Sequence, residues 1–397
     1  MKRTLDILVC LTALVVLFTG CAIEDKAPTA PEMMHGNVVH FDAYNGYYVY
    51  TPPNYNANAS YPVLYLLNGF GRDEDYFAHT FSATDATDYL LDDRLIDPLI
   101  MVMPSGESAL GGTFYTNSLH PAVGMAEDNI LAVIHEVEAS YSIDTTRRTI
   151  GGHSMGGYGA LSIAMNYPGM FKAIAVMEAP IAFWGTKTRP PHNDDTYKGV
   201  WEILPTVFDE TGYDTTSGGD AALYKQMMYP SPTRRVTSMM FAMASAFSPT
   251  QFDPNTHFPI YVPTTIDSII VGMNGGVPVK SPMWVDLPLG IDGSVEMAVW
   301  SRWMAKDCLA RFSGGQAASI APPAVKLYLD AGNQDDLGLY GAHRTFAYAY
   351  GQAFGGAAPD STFFNGIGDV FGEIPAGHTH QVYEQLRKLL IWHSGPF

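Results

Sequence analysis

The chain is 397 residues long, enough for one large or two medium domains, and its 47% apolar content suffices for a sizeable core. Charged residues make up only 16%, with 22 basic against 40 acidic side chains and a net charge of −18. That balance excludes a nucleic-acid-binding surface, because nothing could neutralise a row of phosphates. It names no substrate, since an acidic surface chiefly serves solubility.

At the N-terminus Lys2 and Arg3 precede an apolar run, Ile7 to Phe18, that is short for a membrane span. The next residues, Leu17-Phe18-Thr19-Gly20-Cys21, resemble the lipobox of bacterial lipoproteins, with Phe18 where that motif usually has leucine. The resemblance implies a signal peptide over 1–20, lipidation of Cys21, and a polar tether over 21–36 containing Pro28 and Pro31. It also implies export to the cell envelope and a membrane as partner. Acyl chains contribute about 0.8 kcal/mol per buried methylene, so several would anchor the chain stably. The alternative is a plain signal peptide cut near Gly20 or Ala22. Cys10 would leave with the leader and Cys21 would be acylated. Cys308 then stands alone as a small buried hydrophobe, with no internal disulfide.

The mature chain opens on a hairpin signal. Val38 to Thr51 is rich in β-branched and aromatic residues, with Asn45-Gly46 at its centre. Val63–Leu67, Leu99–Met103, Ala173–Met177 and Val325–Leu329 are continuous apolar runs, the pattern of strands buried on both faces of a parallel sheet. Ile130, Val133, Ile134, Val137 and Tyr141 recur at helical spacing. Strands alternating with helices predict an α/β fold, mostly parallel, with helices on both faces. From about 185 to 323 the composition turns to Pro, Gly, Met and Trp, which reads as a cap-like insertion in one domain spanning 37–397. Within it, Met297, Trp300, Met304 and Cys308 would line one face of a helix between Val295 and Phe312. The insertion's Trp201, Met239, Met240, Met243, Trp284, Trp300 and Trp303 are candidates either to grip an acyl group or to pack a core.

The chemistry concentrates in Gly151-Gly152-His153-Ser154-Met155-Gly156-Gly157. It contains Gly-x-Ser-x-Gly, which places a serine on a sharp strand-to-helix turn. The glycines have a steric purpose, since strand and helix can approach closely only where side chains are missing. A serine hydroxyl also needs a base to take its proton and an acid to orient that base. Two later stretches offer them: Asp330-Ala331-Gly332-Asn333-Gln334-Asp335-Asp336 after a strand, and Gly377-His378-Thr379-His380 before a final helix from Gln381 to Trp392. Glu178, after the strand that follows the serine motif, is a further carboxylate. An oxyanion hole needs two aimed backbone N–H groups. Met155 supplies one by position, and the loop Leu67-Asn68-Gly69-Phe70-Gly71 the other.

Four stretches, Tyr48–Arg72, Asp128–Tyr141, Arg147–Phe171 and Leu327–Asp335, resemble the putative-esterase family of α/β-hydrolases. That family includes S-formylglutathione hydrolases, feruloyl esterases, enterochelin esterases and mycolyltransferases. The resemblance covers most of 45–180 and 325–393 and leaves out the insertion. It implies an α/β-hydrolase fold and a triad of Ser154 as nucleophile, His378 as base and Asp335 as acid, with Phe70 and Met155 as oxyanion donors. Asp336, Glu178 and His380 are the rivals for the acid and the base, and Asp330 would tie down its loop's backbone. Where the family usually has histidine, Asn68 stands here, which changes the hydrogen bonds supporting the oxyanion loop.

The implied activity is hydrolysis of carboxylic esters, either of small molecules or of hydroxycinnamoyl or acetyl groups on polysaccharides. Acyl transfer of the mycolyltransferase type and a non-catalytic binding module are the alternatives. No metal-ligand cluster, phosphate loop or nucleotide fingerprint is present in the sequence, so no metal or cofactor is expected.

Overall fold

A turn at Asn45-Gly46 sets the first register of the sheet. The computed structural model describes residues 33–183, 210, 234–250, 268–274, 277–282, 285–289, 295–332, 335, 337–364, 378 and 382–395. Strands β1 (Asn37–Phe41) and β2 (Tyr47–Thr51) pair antiparallel, with Phe41 opposite Tyr47 and Asn37 opposite Thr51. Then follow β3 (Tyr61–Leu67), helix α1 (Ala83–Asp92), β4 (Ile100–Pro104), α2 (Ala126–Ser140), β5 (Ile143–His153), α3 (Met155–Asn166) and β6 (Ala173–Met177). Helix α4 (Arg235–Phe247), a separate β7–β8 hairpin (Ser268–Asn274 and Val277–Pro282) and α5 (Met297–Met304) come next. The chain closes with β9 (Lys326–Gly332), α6 (Leu339–Ala353), β10 (Asp360–Phe364) and α7 (Val382–Ser394).

Eight described strands form one sheet in the order β1-β2-β4-β3-β5-β6-β9-β10, parallel from β4 onward. The predicted apolar runs are its centre, and their alternation divides the core. Val63, Tyr65 and Leu67 of β3 pack on one face with α2 and α3; Leu64 and Leu66 pack on the other with α1 and α7. Full burial on both faces explains why these strands show no polar alternation.

The predicted Val295–Phe312 helix is corrected. Helix α5 stops at Met304, and Asp307 starts a separate turn of helix, Cys308–Arg311, by accepting the Ala310 N–H at 2.7 Å. A cap inserted there resets the register. The buried face is therefore Val299, Trp300 and Trp303, while Met297 is 56% exposed. Cys308 is buried, and burial pushes its thiol up to about 12. No helix among the described residues is long and apolar enough to cross a membrane. The leader, Cys21 and the tether up to residue 32 lie outside the described residues, as do Trp201, Trp284 and most of 184–267.

Candidate active site

Sheet register brings the chemistry together. His153, Met177 and Asp330 lie side by side at the carboxyl ends of β5, β6 and β9, so the residues after each strand meet at one edge. Ser154 has φ 57° and ψ −119°, a left-handed conformation costly for any residue with a side chain. Its own N–H donates to the Met177 carbonyl at 2.8 Å, and helix α3 starts at the next residue. The surrounding glycines are obligatory on steric grounds. A Cβ on Gly156 would lie 1.9 Å from the Leu67 carbonyl oxygen, and one on Gly152 would lie 2.4 Å from the Gly156 carbonyl carbon.

The Ser154 Oγ lies 2.8 Å from His378 Nε2, and His378 Nδ1 lies 2.9 Å from Asp335 Oδ2. These partners assign the tautomer, with Nδ1–H donating to the carboxylate and Nε2 accepting from the hydroxyl. Asp335 Oδ1 accepts the Leu337 N–H at 2.6 Å. Burial opposes ionisation of Asp335 but is outweighed by the His378 charge and the hydrogen bonds to its oxygens, which hold the carboxyl below the usual range. Asp336 and His380 lie outside the described residues. The Asp330 carboxylate accepts from Tyr328 Oη at 2.6 Å and Gln385 Nε2 at 3.1 Å, and from no loop N–H among the described residues; Asn333, Gln334 and Asp336 of that loop lie outside them. Burial raises Asp330 to about 7. Glu178 does hold the loop, its Oε1 accepting the Gly332 N–H at 2.5 Å.

The Phe70 and Met155 amides donate to no acceptor among the described residues. Both residues border the cleft at Ser154. The loop carrying Phe70 is held by Asn68, which uses its whole amide. Oδ1 accepts from the Gly106 N–H and Tyr115 Oη, each at 2.8 Å, while Nδ2 donates to the carbonyls of Gly69 and Arg72. An asparagine in place of the family's histidine thus leaves the loop fully braced.

One arrangement has no counterpart in the sequence reading. Tyr76 Oη donates to His153 Nδ1 at 3.0 Å, and His153 Nε2–H donates to the His378 carbonyl at 2.8 Å. Burial and the neighbouring His378 depress His153 to about 3, so the ring stays neutral and keeps its donor on Nε2. The signal was its place beside the serine, where a side chain reaches across the turn.

The cleft is narrow, with apolar walls: Phe70 and Phe114 from two loops, Leu337 and Leu339 at the start of α6, and Met239 and Met243 from α4. The two methionines sit one helical turn apart, Met243 buried against the body and Met239 only partly so. Met240, Phe241 and Phe247 are buried, and Phe247 meets Phe114, Tyr158 and Phe183 at ring separations near 5.5 Å. Of the aromatic and sulfur candidates, Met239 and Met243 line the cleft, Met243 being part of the core as well, whereas Met240, Trp300 and Trp303 are core alone.

Glu178, Asp335 and His378 each bring one ligating atom within 4.8 Å of the others, and His35, Asp85 and Asp88 form a second such group. In the first, the His378 and Asp335 atoms are already bonded to each other. In the second, Asp88 is engaged by Tyr50 Oη and the Gly36 N–H.

Residues 42–203 match the model of the family described as Putative esterase. An esterase of Mycobacterium tuberculosis is 32% identical over 219 residues, which is 54% of this chain and 44% of that protein. The chain therefore spans under half the length of that curated relative. The S-formylglutathione hydrolase of Arabidopsis thaliana is 26% identical over 201 residues, 42% of this chain and 69% of that one. A solved structure described as a ferulic acid esterase superposes with a TM-score of 0.51 at 16% identity, covering 91% of this chain and 98% of the other. By architecture the chain has the α/β-hydrolase fold, and over 42–203 it carries the sequence pattern of the Putative esterase family.

Proposed function

We propose that this protein is a serine carboxylic ester hydrolase acting through an acyl-enzyme. The observation that carries the reading is the continuous hydrogen-bond chain from Asp335 through His378 to Ser154 at the floor of an apolar cleft. Ser154 Oγ attacks the ester carbonyl as its proton passes to His378 Nε2. Asp335 stabilises the imidazolium, and the Phe70 and Met155 amides receive the oxyanion. His378 returns the proton to the leaving alkoxide, and the ester C–O bond breaks. Water, deprotonated by the same nitrogen, then releases the acid and restores the serine. The family match, the esterase relative and the S-formylglutathione hydrolase support this chemistry.

The walls suit an apolar acyl group. Methionine sulfur packs well against an aromatic ring, and a hydroxycinnamoyl ester would place its ring between Met239, Met243 and the phenylalanines. Lipidation at Cys21 and a place in the cell envelope complete the proposal, supported by the lipobox-like sequence. Partitioning of the wild type into detergent, lost in Cys21→Ser, tests the anchor.

The activity is tested with p-nitrophenyl esters from acetate to decanoate and methyl ferulate, using the wild type and Ser154→Ala. Serine-dependent turnover supports the esterase. Turnover that survives the substitution, or none on any ester, overturns it.

A further inference from the structure

Behind the serine, histidine and aspartate lies a second buried carboxyl that the proposed mechanism does not use. Glu178 follows β6 directly, is 1% exposed, and has φ 46°, a backbone conformation that disfavours any side chain. Its N–H donates to the Asp330 carbonyl at 2.8 Å. Its Oε1 accepts from the Gly332 N–H at 2.5 Å and from Gln385 Nε2 at 3.3 Å. Its Oε2 is buried and has no hydrogen-bond partner among the described residues. Asp335, with an oxygen within 4.8 Å, offers only acceptors.

Two buried carboxyls this close cannot both be charged. The charge belongs on Asp335, which receives the His378 and Leu337 N–H groups. Burial first, and then the Asp335 charge, push Glu178 well above the usual carboxylate range, and Asp330 adds to the effect. A proton on Oε2 turns an orphaned acceptor into a donor, and the Asp335 carboxylate beside Glu178 has lone pairs to receive it. A strained backbone is retained where a side chain is needed at that spot.

We infer that Glu178, in its acid form, is a positioning residue that donates a hydrogen bond to Asp335 and so fixes the carboxylate that orients His378. This rests on the esterase reading above. The groups facing Glu178 are Asp335 and His378, Asp330 with its partners Tyr328 and Gln385, and His343, whose Nε2 lies 2.8 Å from the Ala179 nitrogen. Burial holds His343 at about 4, so it stays neutral.

The experiment compares Glu178→Gln and Glu178→Leu with the wild type on its best p-nitrophenyl ester, with Ser154→Ala as control. Glutamine can accept from Gly332 and donate to Asp335, so it should keep kcat within about threefold at neutral pH. Leucine, which cannot donate, should lower kcat by roughly 10- to 100-fold with little change in KM. In the wild type, kcat/KM should fall at alkaline pH as Glu178 ionises beside Asp335, and glutamine should abolish that fall. Should the leucine variant not fold, infrared spectra decide: in Ser154→Ala/Asp330→Asn, where Asp330 no longer contributes, a protonated-carboxyl band at neutral pH should vanish when Glu178→Gln is added. Glutamine as damaging as leucine, leucine as active as the wild type, or an alkaline limb unchanged by glutamine would each overturn the inference. So would activity lost to a chelator and restored by calcium, which would put a cation between the carboxyls. Hydrolysis that persists in Ser154→Ala would instead sink the esterase reading itself.

Discussion

The turn that carries Ser154 and the helix whose methionines wall the cleft are held in different ways. At the turn, backbone packs on backbone: the positions of Gly152 and Gly156 leave no room for a single carbon. At α4, Met239 and Met243 present unbranched side chains to the cleft, Met243 from within the core that Met240, Phe241 and Phe247 also fill. On the proposed esterase mechanism, the contrast gives the reacting geometry to rigid backbone and the choice of acyl group to softer side chains.

The contrast breaks first at the proposed nucleophile. Ser154→Ala should lower kcat on esters by about 10⁴-fold or more without reducing Tm; retained turnover would remove the turn from the chemistry. Gly156→Ala should cost more than about 3 kcal/mol, because the obstacle is the Leu67 carbonyl and not a movable side chain. A denaturation midpoint like the wild type's would show that the turn is softer than its packing implies. The polar backing of the strand ends can be probed through pH. Asp330, near 7 in the folded state, binds a proton that the unfolded chain releases near 3.8, so burial of its charge lowers stability as pH rises through that window. Thermal unfolding of Asp330→Asn should therefore gain on the wild type from pH 4 to 7, by on the order of 2 kcal/mol, and stay level above it. A constant difference would mean that the carboxyl titrates normally.

Smaller effects sharpen the comparison. His153→Ala removes the donor to the His378 carbonyl and should lower kcat roughly 10- to 100-fold with KM nearly unchanged. Tyr76→Phe, which removes only the outer contact, should cost less. Met239→Ala and Met243→Ala should change relative kcat/KM along the acyl series by about tenfold or less, favouring longer or bulkier acyl groups, with kcat on acetate barely altered. A uniform loss across the series would place these residues in the support of the turn.

Much of this was readable in the residues. Continuous apolar runs marked β3, β4, β6 and β9, because a strand covered on both faces has no reason to alternate. The glycines around Ser154 marked the turn, because only one backbone geometry needs them so closely spaced. Less legible was the short helix at Cys308, where one capping aspartate broke an otherwise periodic stretch. The partnerships of Glu178, His153 and Asn68 were harder still. They depend on which strand ends are neighbours, and sheet order is a long-range property that a local pattern does not contain. Asp330 shows the same limit, since its partner Gln385 comes from the last helix, 55 residues away.

The left-handed backbone of Ser154 has an evolutionary consequence. Glycine adopts that conformation freely, so Ser154→Gly would relieve strain of about 1 to 3 kcal/mol while removing the hydroxyl. Selection for turnover and selection for robustness thus pull this one codon in opposite directions. In a lineage where the proposed reaction no longer mattered, drift would favour glycine here, and the descendants would be sturdier proteins without the proposed nucleophile. Reversion would then have to pass back through a less stable fold, so the loss would behave as a ratchet.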